Sequence, residues 1–348
     1  VSVGYQQPEP AVLKRIENAG GFVYRRNAPQ KPAPMANVCE RVRRWMLRKI
    51  VSPTKPWTES DTVSRVCPAL TVISQPSCIE GIEWMETCIA NGIPFVTIAQ
   101  ACSERLFEND DLADSIGNAL LQAKKSFFVS RANQSLLESF IGKPISYPEI
   151  VRNPFQVPYD VVQPWPTNGS TLRLACVARL HMMSKGQDIL LRVLSNEKWR
   201  NRELTVSFFG SGPNERSFKN LAVSLGLKSV TFNGHTSDVA AIWREHHGLI
   251  LPSRYEGLPI ALVEAMLSGR PAIVTNVSGN CEVMIDGETG FVAAAPQVDA
   301  LDLALERLWQ SRDKLNQLGS NAACHIRKLV PQSPASDFAE RLKQLASI

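Results

Sequence analysis

Twice along this chain, short apolar runs alternate with longer segments of helical pattern, and a proline-rich stretch separates the two series. The first series reads as strands over Val1–Tyr5, Phe22–Arg25, Leu70–Ser74, Phe95–Ala99, Phe127–Ser130 and Ile150–Arg152, with helices over Glu9–Ala19, Val38–Ile50, Glu80–Asn91, Asp111–Lys124 and Ala132–Ile141. The second reads as strands over Arg173–Ala178, Leu204–Phe209, Val230–Asn233, Gly248–Leu251, Ala272–Thr275 and Phe291–Ala293. Its helices begin near Gly186, Asn214, Thr236, Leu258 and Gly279, and a final helical stretch from Val298 breaks near Pro331-Gln-Ser-Pro334. Strands joined through helices form parallel crossovers. The pattern predicts an α/β fold of two Rossmann-like lobes, each a parallel sheet with helices on both faces, with a cleft between them. Between the series, Asn153–Ser170 holds four prolines and one glycine in eighteen residues, poor material for either helix or sheet. The expected organisation is a first lobe over 1–155, a linker over 156–170, a second lobe over 171–330, and a terminal helix over 331–348 packing back on the first lobe.

Composition narrows the function. The chain has 348 residues, 44% hydrophobic and 20% charged, which excludes a disordered or collagen-like polymer. The formal net charge of +5 is too small to argue for nucleic acid as a partner. No apolar run approaches the ~20 residues that cross a bilayer. The first 30 residues carry Pro, Glu and Lys instead of an apolar leader, so a cytoplasmic protein is expected. The eight cysteines show no Cys-x-x-Cys spacing, and the expectation is that all are reduced, buried thiols. The chain opens at Val1 without Met and already in a strand pattern, which reads as a fragment or a processed start.

The most informative segment is Leu251-Pro-Ser-Arg-Tyr-Glu-Gly-Leu-Pro-Ile-Ala-Leu-Val-Glu-Ala-Met266. A buried strand ends at Pro252, a loop follows, and a helix is expected from Leu258 with Pro259 in its first turn. The unpaired N–H groups of a first turn attract anions, and Gly257 allows close backbone approach. Glu256 and Glu264, eight residues apart, fall on one side of such a helix. Two acids beside an anion site suit hydroxyl groups, since a carboxylate accepts two hydrogen bonds from a diol. A phosphate flanked by two diols describes a nucleoside diphosphate sugar. The competing reading pairs Glu264 with Arg270. A second segment, Leu174–Asp188, places Arg179 and Lys185 at the carboxyl edge of a strand, where open α/β sheets bind ligands. Gly210 and Gly212 begin a dinucleotide fingerprint, but Glu215 stands at its third small position, which argues against a nicotinamide dehydrogenase. His246-His247 precedes a buried strand and reads as structural.

Taken in order, these motifs resemble glycosyltransferase family 4, retaining enzymes of the two-lobed GT-B fold. The resemblance rests on Val177-Ala-Arg-Leu180 with Lys185-Gly186, Phe209-Gly-Ser-Gly-Pro213, Phe232-Asn-Gly-His235, Pro252–Met266 with its Glu-x7-Glu element, Gly279-Asn-Cys-Glu-Val283 and Asp286-Gly-Glu-Thr-Gly290. It implies that Arg179 and Lys185 hold the donor diphosphate and that Glu264 binds ribose. Glu256 would face the transferred sugar. The backbone of Gly257 and Leu258 would meet phosphate or sugar, with Gly212 and His235 along the donor pocket and His235 near the base. It implies no cofactor and no metal, the nucleotide sugar (UDP- or GDP-linked) being the substrate. The family's first strand and glycine-rich loop have no match here, nor does a histidine that many members place after the fourth strand of that lobe. In its stead stands Thr97–Glu104, which offers Gln100, Ser103 or Glu104 on the acceptor side.

Arg41–Ile50 is a basic amphipathic pattern, and residues 1–58 hold eleven basic against three acidic residues. That suits peripheral contact with an anionic membrane at its inner face and a glycan or lipid-linked acceptor. The alternative to a transferase is a non-catalytic GT-B-like protein that binds a nucleotide sugar or a partner, which donor binding without turnover would reveal.

Overall fold

The computed structural model describes residues 67–347 apart from 108 and 168. The strands and helices expected before residue 67, including the basic segment 41–50, and Cys39 lie outside the described residues. Two parallel sheets are present. The first has four strands, β1 (Thr71–Gln75), β2 (Phe95–Ala99), β3 (Lys125–Phe128) and β4 (Pro148–Ile150), side by side in chain order. The second has six, β5 (Leu172–Val177), β6 (Leu204–Phe209), β7 (Val230–Phe232), β8 (Gly248–Leu251), β9 (Ala272–Thr275) and β10 (Gly290–Ala293), in the order β10-β9-β8-β5-β6-β7. The expected α/β architecture is the observed one. β8 and β9 are buried along their whole length, which is why they read as uninterrupted apolar runs.

The order of the second sheet decides where its site lies. The chain builds β5, β6 and β7 outward in one direction, then returns to place β8 on the other side of β5, paired Leu174 to Gly248 and Ala175 to Leu249. Winding reverses between β5 and β8. The loops leaving their carboxyl ends therefore part in opposite directions and open a crevice. One loop carries Arg179 and the other Glu256.

Among its described residues the connection between the sheets, 151–171, has neither helix nor strand, yet it is fastened along the second lobe. Val157 sits in that lobe's core. Arg270, fully buried, donates to the carbonyls of Gln163 and Pro164 in the connection and to those of Trp243, His246, Ser268 and Gly269. Its guanidinium lies over Trp165, 5.2 Å from the ring centre, and burial pulls its pKa down to about 10. Tyr159 Oη donates to the carbonyl oxygens of Arg327 and Val330. After the helix Leu315–Ile326 the chain crosses back, and the helix Pro334–Ala346 lies on the first sheet, Phe338 edge-on to Phe127 at 5.0 Å with Leu342 and Leu345 beside it.

Four expectations need correction. Cys78 and Cys102 form a disulfide, with Cα atoms 5.3 Å apart, so not all cysteines are reduced. The loops after β1 and β2 bring them together, which a separation of 24 residues does not reveal. Cys67, Cys281 and Cys324 are exposed instead of buried, while Cys88 and Cys176 are buried thiols. The helix expected from Leu258 spans Ile260–Leu267, with Pro259 as its cap, because Pro259 takes an extended ψ of 123°. The final helical stretch also breaks at Ser311, ahead of a short 3-10 turn over Arg312–Lys314.

Arg270→Met should lower the unfolding free energy by roughly 3 kcal/mol, since it takes the donor from five interior carbonyls, the sixth, of Ser268, keeping the Gln163 amide. Urea denaturation followed by tryptophan fluorescence measures it, and a loss under ~0.5 kcal/mol would mean the guanidinium does not hold the connection.

Candidate active site

At the crevice between β5 and β8 the two loops are fitted to each other backbone against backbone. A side chain at Gly186 (φ 61°) would overlap the carbonyl oxygen of Pro252, and one at Gly212 would overlap that of Leu180. Lys185 ends the short helix Met182–Lys185 beside Gly186. Its Nζ donates to both oxygens of Glu256 at 2.6 Å. Glu256 is 5% exposed and also accepts from Ser253 Oγ at 2.7 Å. The pair is thus drawn together from two loops whose residues lie 71 positions apart.

Further contacts set this geometry. Arg254 donates to both carboxylate oxygens of Asp188 (2.7 and 2.8 Å) and to the carbonyl of Met182, clamping the β8 loop onto the helix Gln187–Leu194. Asn214 Oδ1 accepts from the Met182 amide at 2.9 Å. Ser278, in the left-handed region at φ 47°, accepts from the Glu256 amide with its Oγ. Asp188, Asn214 and Ser278 were missed by sequence reasoning. Their partners lie on other loops, so although each borders a recognised motif (Asp188 past Lys185-Gly186, Asn214 after Pro213, Ser278 before Gly279), nothing in the spacing announced the contacts.

Among the described residues, the Arg179 guanidinium is exposed with no hydrogen bond or ion pair. His181 lies between Arg179 and Lys185, its Nδ1 2.7 Å from Ser184 Oγ, and its pKa is lowered by burial first and then by those two cations. Cys176, on β5, is fully buried near Lys185 and Glu256, and burial pushes its thiol up to about 12, which leaves it an inert packing residue.

Glu264 lies within the helix Ile260–Leu267 and is 4% exposed. Arg270 does not pair with it, all its donors being directed at carbonyls. Glu264 Oε1 accepts one hydrogen bond, from the Gln156 amide of the connection at 2.8 Å. Burial raises its pKa to about 7, opposed in part by that bond. Among the described residues no acceptor meets the N–H of Gly257 or Leu258. Leu258 is itself a buried core residue.

The first lobe meets this crevice through Gln100. A side chain at Gly257 would overlap the Gln100 carbonyl oxygen, so the end of β2 touches the loop carrying Glu256. The Gln100 side chain accepts from Asn153 Nδ2 at 2.8 Å. Ser103 caps the 3-10 turn Glu104–Leu106 and Glu104 is exposed; among the described residues neither bonds to the second lobe. His235 is exposed beyond β7, two strands from the switch point, its loop tied by the Gly210 amide to the Gly234 carbonyl. His246 and His247 lie away from the crevice, His247 accepting from the Arg173 amide, with its pKa lowered to about 4 by burial.

A six-stranded sheet of this order, its charged switch point facing a second parallel sheet, defines the two-lobed GT-B class of fold. Residues 162–324 match the family model of the glycosyl transferases group 1. The D-rhamnosyltransferase WbpZ of Pseudomonas aeruginosa is 31% identical over 150 residues, 42% of this chain and 38% of that protein. The MMP alpha-(1->4)-mannosyltransferase of Mycolicibacterium hassiacum is 30% identical over 159 residues, 43% of this chain and 37% of that protein. The chain thus matches well under half the length of these curated relatives. Among solved structures, Anabaena Alr3699/HepE in complex with UDP-glucose aligns over 97% of this chain and 90% of its own, with TM-score 0.73 and 16% identity. The lipopolysaccharide outer core galactosyltransferase WaaB aligns over 96% and 94%, with TM-score 0.62 and 16% identity. At such identities the likeness is one of fold.

Glu264 makes the unliganded chain sensitive to pH. Unfolded, its carboxyl ionises near 4.5; folded, it holds its proton to about 7. Stability is therefore lost as pH rises across that window, by about 3 kcal/mol in full at ~1.4 kcal/mol per pKa unit. Glu264→Gln should raise the melting temperature at pH 8, with the gain shrinking as pH falls toward 4.5. Equal melting temperatures at pH 8 would mean the carboxyl ionises without cost.

Proposed function

We propose that this chain transfers a sugar from a nucleoside diphosphate sugar to a hydroxyl acceptor, a saccharide or lipid-linked glycan, with retention at the anomeric carbon. One observation carries the reading: the Lys185–Glu256 pair stands at the switch point of the second sheet, and Gly257, next along the chain, touches Gln100 of the first. The match of residues 162–324 to the group 1 glycosyl transferases, and relatives named as rhamnosyl- and mannosyltransferases, support it.

In this reading the donor diphosphate lies against Arg179 and Lys185 and the free N–H groups of Gly257 and Leu258. The bond from the anomeric carbon to the β-phosphate oxygen breaks, and the diphosphate leaves with the electron pair. The acceptor oxygen bonds the anomeric carbon and gives up its proton to the departing phosphate oxygen. Negative charge grows on the leaving group, and fixed cations and N–H dipoles aimed at it lower the barrier. This part of the work needs neither a metal nor a cofactor. The phosphate competes with Glu256 for Lys185, which frees the carboxylate toward sugar hydroxyls. Glu264 takes the ribose diol on the accepting capacity that Gln156 leaves open, and ionises as those hydroxyls donate to it. His235 lies toward the base. Gln100 presents a polar edge to the transferred sugar or acceptor, a role its contact with Gly257 favours over Ser103 or Glu104. Retention follows from the family resemblance. Peripheral contact with an anionic cytoplasmic membrane face rests on the basic excess in residues 1–58 and is tested by liposome flotation.

The decisive measurement is a thermal-shift screen of UDP, GDP and ADP, followed by turnover of the matching sugar nucleotides. Lys185→Ala and Glu264→Ala should each lower turnover by about a hundredfold or more while the fold is kept. Binding without turnover across a wide acceptor panel would establish the non-catalytic alternative, and no shift with any nucleotide would remove the transferase reading and leave only the partner-binding one.

A further inference from the structure

Glu282 stands on the short helix Asn280–Val283 of the second lobe, and its side chain reaches into the first. Its Oε1 accepts from the backbone N–H of Ala132 at 2.8 Å, and its Oε2 lies 3.9 Å from Arg152 Nη1. Ala132 belongs to the first turn of the helix Arg131–Ile141, whose cap is Ser130. The carboxylate therefore meets a first-turn N–H, the positive end of a three-turn helix and a guanidinium, all from the opposite lobe. Arg152 is held in place by its bond to the Val129 carbonyl at 2.7 Å.

The contact lies beside the proposed donor machinery. Gly279 donates from its amide to the Gly257 carbonyl at 2.9 Å, and a side chain at Gly279 would collide with Ser130 as well as with that carbonyl. One at Gly257 would collide with Gln100 and Val129. Two glycines of the second lobe thus seat against the ends of β2 and β3, and Glu282, three residues past Gly279, is the charged group that joins the lobes along that seam. Hydrogen bonds to a charged partner contribute about 1.5–3 kcal/mol, enough to bias an open–closed equilibrium by ten- to a hundredfold.

We infer that Glu282 is a positioning residue that fastens the two lobes in the closed arrangement, setting the donor loops at Gly257 and Gly279 against Gln100 and Ser130. It touches neither donor nor acceptor. The inference rests on the transferase reading only for its catalytic consequence.

The test compares wild type with Glu282→Gln, Glu282→Ala and Glu282→Lys. Position 282 is half-buried at the lobe seam, outside either core, and thermal melts confirm folding. Small-angle X-ray scattering on the full chain reads closure without any substrate. The lysine variant, placing a cation before Arg152 and the helix end, should raise the radius of gyration by on the order of 1 Å above its ~20 Å. Alanine should lie nearer to lysine. Glutamine, whose amide oxygen still accepts from Ala132, should lie nearer to wild type. Hydrogen exchange of residues 129–134 should quicken about tenfold or more in alanine and lysine, and less in glutamine. In turnover assays kcat should fall about tenfold with the donor KM within about threefold, because the donor contacts on the second lobe are intact. Superimposable scattering for all four proteins would overturn the inference, as would a lysine variant with wild-type kcat. Scattering and exchange need no substrate, so their failure leaves the transferase reading standing, and absence of turnover leaves the closure result standing.

Discussion

The adjacency of β5 and β8 governs everything the second lobe can do. Parallel strands that were neighbours in sequence would send successive loops over the same side and leave no gap. Reversal between β5 and β8 opens one, and the chain fills its walls with the residues that follow those two strands. The gap stays narrow because Gly186 lets the β5 loop rest on the Pro252 carbonyl of the β8 loop, while Gly212 of the β6 loop rests on Leu180 from the other side. Lys185 and Glu256 can meet only because this fit holds. The Arg254–Asp188 clamp keeps it from spreading. The ion pair reports the topology more than it creates it.

Buried charges in this lobe fall into two kinds, told apart by how much of their hydrogen-bonding capacity is used. Arg270 directs its donors at carbonyl oxygens of the connection and of its neighbours. Its work is to weld one segment to another. Glu264 is equally removed from water but accepts a single protein hydrogen bond, and its carboxyl is raised to about 7 in consequence. An interior carboxylate left half satisfied is costly to the empty protein. Donors arriving with a ligand would offset that cost. The same measure separates Glu256, which is fully engaged by Lys185 and Ser253 and must exchange a partner to act.

The strands of both sheets were legible because buried parallel strands announce themselves as short apolar runs. Phe95–Ala99, Leu204–Phe209, Gly248–Leu251 and Ala272–Thr275 were read to the residue. Other strands of the first sheet were less sharp, β3 and β4 each beginning two residues before the expected run, at Lys125 and Pro148. Lys185 and Glu256 were legible as separate expectations, a cation at the carboxyl edge of a strand and an acid before a helix, and the structure brings the two side chains together, while Glu264 bonds Gln156. What escaped was whatever depends on pairing between distant loops. Cys78 with Cys102, Arg254 with Asp188 and Glu282 with Ala132 each join segments whose spacing carries no periodic signal. Pro259 was misplaced by two positions because proline suits both a cap and a first turn, and only its ψ decides.

The chain crosses between the lobes twice among the described residues, and the two crossings are tied together. Outbound, it leaves β4 and is held by the second lobe from Gln156 onward. Inbound, it leaves Val330 and joins the first lobe at the helix Pro334–Ala346. Tyr159 bonds the carbonyls of Arg327 and Val330, Arg327 returns a bond to the Tyr159 carbonyl, and Gln332 reaches Asp160. The proline-rich stretch is therefore no free tether, since from Gln156 to Trp165 it moves with the second lobe. On the first-lobe side the Val151 amide donates to the Phe128 carbonyl, Arg152 to that of Val129 and Asn153 to the Gln100 side chain. Only the short spans between Asn153 and Gln156 and between Gln332 and Pro334 are left as a hinge. Gln156, the first residue past that hinge, is the one that bonds Glu264. Whatever changes the charge or partners of Glu264 therefore acts on the segment that joins the lobes.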